Sequence, residues 1–263
     1  MKRRFAELSV EDVRALITPS SIIVLPVGAV EAHGPHLPLS TDLVIASAAV
    51  DALMEQAGER LDLWALPPLA VTKSNEHAWA PGTLWLSAST MLAVLDDLGR
   101  SLATTAAKTL VFVNGHGGNS ALLQVASRDL RLAYGLQTFV AHPFTNSGLG
   151  DEDGMAIHGG HDETSILLHL RPELVNMTKA RRAVPTHLAK NRFVKWGGSV
   201  SFGWLSSDFE PEPAPGQHPV GVIGDPTTAS AEHGATLWAG VLRDLVGALD
   251  EIATWNPRGI SPV

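Results

Sequence analysis

With 263 residues, 45% of them hydrophobic and 17% charged, the chain is too apolar for disorder and long enough for one well-buried domain without requiring two. A formal net charge of −8 and a pI of about 5.7 argue against a general attraction to nucleic acid or an anionic membrane. The chain has no cysteine, which excludes disulfides and thiol nucleophiles and leaves nitrogen and oxygen as donors for any metal.

From Met1 to Val10 the chain starts basic but reaches Glu7 without a long apolar core, so it does not read as a signal peptide. No stretch approaches the ~20 apolar residues of a bilayer span, and the cytoplasm is the expected compartment. A first strand is expected over Ile22 to Val27, between Pro19 and Gly28. Leu43 to Met54 then has helical periodicity, with Ser40 and Thr41 as capping candidates and Gly58 as its end. Further strands are expected at Leu63 to Leu66, Leu110 to Val113 and Leu136 to Ala141, alternating with helices over Ser89 to Ala107 and Ser120 to Ala133. This rhythm predicts an α/β domain spanning residues 1–263, with a mainly parallel sheet covered by helices on both faces and ligands beyond the carboxyl ends of its strands. Arg181 to Pro219, with five prolines, four glycines and two of the seven tryptophans, reads as a long functional loop. Asp225 and Pro226 read as N-cap and first residue of a closing helix carrying Leu237, Val241 and Leu245 on one face.

Polar residues cluster where strands end. After the first strand, Glu31 and His33 stand two apart, so in extended chain they face one side and can converge on a cation. Asp42 falls in the first turn of the next helix, where its two oxygens can bridge two metals. Singly, each has a plain structural explanation as helix support, solvated loop residue or satisfied histidine. Together, held by Gly34-Pro35 and Pro38, they point to a metal site; His36 stands beside them as a loop histidine or a residue behind the ligands.

Asn114-Gly115-His116-Gly117-Gly118-Asn119 follows the next expected site-bearing strand. It lacks the lysine and hydroxyl of a P-loop and the third glycine of a dinucleotide fingerprint, and places His116 at the turn apex as a further ligand. In His158-Gly159-Gly160-His161-Asp162-Glu163-Thr164-Ser165, Glu163 is a candidate for a second metal's shell and His158 for the acid that protonates a leaving nitrogen. Helix capping is the plain alternative there, and His161 and Asp162 are candidates to support the ligands. Ser74, Glu76 and His77, near Pro81-Gly82-Thr83, are candidates to line a substrate pocket, as is Trp204. Trp196 and Trp204 otherwise belong to a core or interface.

In order and across nearly the whole chain, these motifs resemble the creatininase family: Glu31-Ala-His33-Gly-Pro-His36-Leu-Pro-Leu with Thr41-Asp42, Pro81-Gly-Thr83, Asn114-Gly-His116-Gly-Gly-Asn119, Glu163-Thr-Ser165 and Gly224-Asp225-Pro226. The resemblance implies a three-layer α/β/α sandwich, two divalent metals (zinc, manganese or iron) bridged by Asp42, hydrolysis of a carbon–nitrogen amide-type bond, and commonly a hexamer. Creatininase carries Tyr-Glu after the metal-binding histidine, with that Glu a ligand, where this chain has Gly117-Gly118; Glu163 is the expected replacement. It also has Trp-Asp where this chain reads Gly154-Met155, which argues against creatinine as substrate. Relatives with the Gly-Gly form include pyrimidine-intermediate deformylases and the mycofactocin-precursor peptidase. The expected activity is therefore metal-dependent hydrolysis of a cyclic amide, formamide or short peptide by a water activated between two cations. A peptidase of the mycofactocin-precursor type is the alternative within this class, and a non-catalytic binder of small ligands with a degenerate metal site is the alternative outside it. No Gly-x-Ser-x-Gly elbow supports covalent catalysis.

Overall fold

Four strands, β1 (Ile22–Val27), β2 (Leu63–Ala65), β3 (Thr109–Asn114) and β4 (Gln137–Ala141), pair in the order β2-β1-β3-β4, every pair parallel. The computed structural model describes residues 3–144, 157–194, 200, 203–209 and 219–256. Every residue of β1 is buried, as a central strand covered on both faces requires. Side chains alternate along it: Ile22 and Val24 join one core and Ile23, Leu25 and Val27 the other.

The first core is closed by α2 (Thr41–Ala57), α5 (His161–Leu170) and α6 (Ala231–Ala253), through Ile45, Leu53, Ile166, Leu237 and Val241 among others. The second is closed by α3 (Ala88–Leu102) and α4 (Ser120–Tyr134), through Met91, Leu95, Leu123 and Leu130. The result is the expected three-layer α/β/α sandwich. At the carboxyl end Val27 is in register with Asn114, and just beyond that pair both chains leave the sheet, placing the two richest polar clusters side by side. Among the described residues no helix is long and apolar enough to cross a membrane.

The structure departs from the sequence expectations at several boundaries. A short helix, α1 (Val10–Leu16), precedes β1 and starts with a capping box in which Ser9 and Asp12 exchange side-chain and backbone hydrogen bonds. The helix expected to run to Ala107 stops at Leu102, where the hydroxyls of Thr104 and Thr105 donate to the carbonyls of Ser101 and Leu102. Asp225 does not cap the closing helix. Its Oδ1 accepts from Thr227 N–H at 2.9 Å, forming a local turn, and α6 begins five residues after Pro226 with Ser230 accepting from His233 N–H. Where described, the Arg181 to Pro219 region contains short 3-10 turns at Thr186–Lys190 and Ser206–Asp208. Trp196 and Gly154-Met155 lie outside the described residues.

Candidate metal centre

The segment after β1 is held open by backbone contacts that fix its two ligand candidates. Glu31 N–H donates to Leu39 O at 2.9 Å, Leu84 N–H to Val30 O at 2.9 Å, and Ala32 N–H to Thr83 Oγ1 at 3.2 Å. Thr83 thus acts as a brace for the loop. His33 Nδ1–H donates to Glu31 O at 3.1 Å, which turns Nε2 to Asp42 Oδ1, 3.0 Å away. Asp42 sits in the first turn of α2, and its second oxygen, Oδ2, faces His116 Nδ1 at 3.3 Å. One carboxylate therefore addresses two imidazoles with two different oxygens, the placement that suits a bridging ligand.

His116 leaves β3 on a tight loop that packs directly on α2. A Cβ at Gly115 would lie 2.5 Å from Asp42 O, so only glycine lets the loop approach so closely. Asn114 Nδ2 donates to His116 O at 2.8 Å, and Asn119 ties the loop to Lys73 N–H and Gly28 O. His116 Nε2–H donates to Lys73 O at 2.9 Å, so Nδ1 is the ring atom available to the centre, 3.2 Å from Glu31 Oε1. Glu76 Oε1 lies 3.3 Å from the Nε2 side of the same ring, and Glu76 Oε2 accepts from Lys73 Nζ at 2.8 Å. A Cβ at Gly118 would lie 1.7 Å from Glu76 Oε1: the missing side chain gives its space to a carboxylate from another loop.

The third segment arrives from α5. Glu163 Oε2 accepts from Gly159 N–H at 2.7 Å while Oε1 stands 3.4 Å from His33 Nε2. His158 Nε2–H donates to Ala32 O at 2.6 Å, leaving Nδ1 3.7 Å from Glu31 Oε1. The His158 ring lies between His33 and His77, with centroids 4.2 and 4.3 Å away. A cleft of about 310 Å³ opens over the centre, lined by Asp42, His116, His158 and Glu163 together with Gly115, Gly117, Phe144 and Ile157.

The charges in this nest call for a cation. Both oxygens of Glu31 and Oδ2 of Asp42 are buried without a hydrogen bond, a costly condition for carboxylates unless a positive charge sits among them. Burial pushes the His33 and His116 imidazoles down, yet the carboxylates beside them, Asp42 and Glu163 for His33 and Glu31 and Asp42 for His116, hold both well above the ordinary histidine value. His158 goes the other way, pushed below the ordinary value by burial and by His33. Burial raises and His116 and Lys73 lower the Glu76 carboxyl, which ends at about 2. Glu31, Asp42 and His116 offer three donor atoms within 4.8 Å of one another, and so do His33, His158 and Glu163. Imidazole and carboxylate are the donors that zinc, manganese and iron accept, so the residues present fit such ions.

Comparison with known proteins agrees. The creatininase family model, described as creatinine amidohydrolase, matches residues 6–249. The chain belongs to the creatininase family. It is a metal-dependent amidohydrolase, a hydrolase of carbon–nitrogen bonds. Among relatives of this creatininase-family chain, the mycofactocin precursor peptide peptidase of Mycobacterium ulcerans is 38% identical over 241 residues, 89% of this chain and 86% of that protein. Its namesake in Mycolicibacterium smegmatis is 34% identical over 248 residues, 93% of this chain and 89% of that protein. The creatinine amidohydrolase of Pseudomonas putida is 33% identical over 180 residues, 60% of this chain and 67% of that protein. A solved creatininase mutant of zinc–zinc type superposes with a TM-score of 0.74 at 25% identity, covering 96% of this chain and 98% of that one.

Glu31, His33, Asp42, His116, His158 and Glu163 are thus brought together by the fold. The residues expected to line a substrate pocket lie elsewhere. Ser74, Glu76 and His77 are buried behind His116 and Glu31, and Trp204 packs edge-on to Phe209 with centroids 5.2 Å apart; none of the four lines the cleft. His36 is buried with Nε2 2.9 Å from Thr164 Oγ1, and burial holds it down at about 4. His77 Nε2 approaches Glu31 Oε1 at 3.5 Å, closer to the centre than its place in a separate loop suggests. The sequence offered no period to show that residues 73–77 fold under the His116 loop. Phe144 and Ile157, which line the cleft, carried no signal beyond hydrophobicity.

Proposed function

We propose that this chain is a two-cation peptidase that hydrolyses an amide bond in a short peptide. In this reading Glu31, Asp42 and His116 hold one divalent ion, and His33, Asp42 and Glu163 hold the second. The observation that carries it is the set of buried carboxylate oxygens on Glu31 and Asp42 that lack hydrogen bonds and converge with imidazole nitrogens beneath the cleft. Zinc, manganese or iron held there would supply a Lewis acid able to lower the pKa of a water and to polarise an amide carbonyl. Peptide rather than creatinine is favoured because the relatives matched over about nine tenths of the chain carry a peptidase name, while the creatinine amidohydrolase match spans 60%.

The chain's own side chains manage the proton. His158 is held neutral with its Nε2–H fixed on Ala32 O, so Nδ1 is the atom that takes a proton from the attacking water and returns it to the departing nitrogen. Asp42 and Glu163 line the cleft, and the backbone bonds on His33 and His116 orient their rings so that Nε2 of His33 and Nδ1 of His116 face the carboxylates. Cytoplasmic residence and a homo-oligomer, up to a hexamer, belong to the same reading; exposed Leu132 and Trp255 supply apolar surface that an assembly would cover.

The test pairs metal analysis with a substrate panel. Protein purified without chelator is expected to hold about two divalent ions per chain in this centre and to cleave short peptides in preference to creatinine and formamides. Turnover of creatinine at a higher kcat/KM than any peptide would refute the substrate assignment. A metal content of zero after reconstitution with zinc or manganese would refute the centre.

A further inference from the structure

The two helices that close the first core, α5 and α6, begin beside each other, and their first turns bring together a second set of donors. His161 and Asp162 open α5, and His233 lies in the first turn of α6. His161 Nδ1 stands 3.2 Å from Asp162 Oδ1, and His233 Nε2 stands 3.1 Å from that same oxygen. The two imidazole rings are 4.9 Å apart, and a donor atom from each of the three residues lies within 4.8 Å of the others.

Each contact has hydrogen-bond length, and the two imidazoles that one carboxylate oxygen collects come from two different helices. Zinc–nitrogen and zinc–oxygen bonds of about 2.0–2.2 Å in tetrahedral array set donors roughly 3.3 Å apart, and the two measured separations are close to that. We propose that His161, Asp162 and His233 form a separate mononuclear site for a zinc-like divalent cation at the rim of the cleft.

Two imidazoles and one carboxylate select zinc, cobalt, nickel or iron over magnesium or calcium, which prefer oxygen alone. The positive ends of α5 and α6 oppose a cation. Asp162 and Glu163 in the first turn of α5 and Glu232 in that of α6 offset them. Neighbouring residues on a helix point about 100° apart, so Asp162 serves this site while Glu163 turns to His33. Three protein donors leave a fourth tetrahedral position for an exchangeable ligand, and His161 and Asp162 also line the cleft. The cation ties the start of α6 to the helix that delivers Glu163, adding to the Ser230 N–H bond to Ser165 Oγ at 3.1 Å.

None of these three residues belongs to the two-cation reading, so the two can fail separately. The experiment loads intact protein with zinc, dialyses it against metal-free buffer and counts zinc by mass spectrometry, with circular dichroism to show folding. His233→Ala removes the α6 donor. His233→Gln keeps an amide N–H for Asp162 and guards against misfolding. Both are expected to hold one zinc fewer than the wild type. Asp42→Asn, which damages the main centre, should keep the zinc that Asp42→Asn combined with His233→Gln loses. A folded His233→Gln protein with wild-type zinc content would overturn the proposal. If Asp42→Asn itself bound as much zinc as wild type, the two-cation reading would fall while the His233 comparison still decided the third site.

Discussion

Replacing Glu163 with glutamine separates the two tasks of that side chain. Oε2 accepts from Gly159 N–H at 2.7 Å and Oε1 stands 3.4 Å from His33 Nε2. An amide offers a single oxygen, so if glutamine keeps the Gly159 bond its NH2 group turns towards His33 and any cation there. The Gly159 bond weakens from a charge-assisted to a neutral one, costing the fold about 1 kcal/mol. Removing one member of a buried charge pair costs about 3–5 kcal/mol, which at 1.4 kcal/mol per decade is roughly 100-fold to several thousand-fold in affinity for the second cation. The assay is metal stoichiometry after dialysis against a graded chelator, with calorimetric melting of the metal-free proteins alongside. The expected result is that one ion of the proposed pair is held more weakly than in the wild type, with metal-free melting temperatures within a few degrees. If Glu163→Gln keeps both ions at wild-type affinity, Glu163 is no ligand and its α5 position is explained by the Gly159 bond alone.

Saturation of a site at 100 times its Kd stabilises by about 2.7 kcal/mol, so chelating two ions should lower Tm by about 10–20 °C at 2–4 °C per kcal/mol, and a change within 2 °C would contradict the centre. Acidification from about pH 8 to about pH 5 should also release the ions, because protons compete for the imidazole and carboxylate donors; equilibrium dialysis across that range checks it. Asp42→Asn should lower kcat/KM by about 10³-fold or more, against about 10–100-fold for His36→Ala, whose ring meets Thr164 instead; equal losses would remove the bridging role of Asp42. Gly118→Ala places a Cβ on Glu76 and should destabilise by about 1–3 kcal/mol, relieved in part by Glu76→Ala in a double-mutant denaturation series. Gly117→Tyr should leave metal content unchanged and lower kcat/KM for peptides about tenfold more than for formamides.

The layers were legible because β1 and β3 are continuous apolar runs ended by glycine or asparagine, and because α4 ends at a glycine with left-handed backbone, Gly135. The convergence of Glu31, His33, Asp42 and His116 was legible too, since a parallel sheet places neighbouring strand ends together. Other features depended on contacts distant in sequence. Asp225-Pro226 has the form of a helix start, but Asp225 Oδ1 is engaged by Thr227, and Ser230 has the partner at the right spacing. The Asn75–His77 turn came under His116 through Lys73 O and Asn119, bonds spanning more than forty positions. Trp204 reads as a cleft wall from composition alone, yet it is satisfied by Phe209 within its own loop.

Gly117 and Gly118 look alike in the sequence and do opposite things in the fold. A side chain at Gly118 would have to displace Glu76, whose carboxylate fills the space beside the His116 ring. At Gly117 a Cβ would meet nothing within 4 Å, and the residue lines the cleft. The Tyr-Glu pair that creatininase carries after this histidine would therefore add a ring at the open cleft wall, and the Cβ of its Glu would meet the Glu76 carboxylate. Glycine at 117 leaves the cleft wall open, and glycine at 118 leaves the proposed second cation dependent on a donor from another segment. Glu163 is that donor in the proposed arrangement, and it comes from α5, the helix that also borders the cleft with His161 and Asp162. In that proposed reading, a carboxylate carried on α5 lets the His116 loop stay bare, and the bare loop leaves room for the backbone of the proposed peptide substrate.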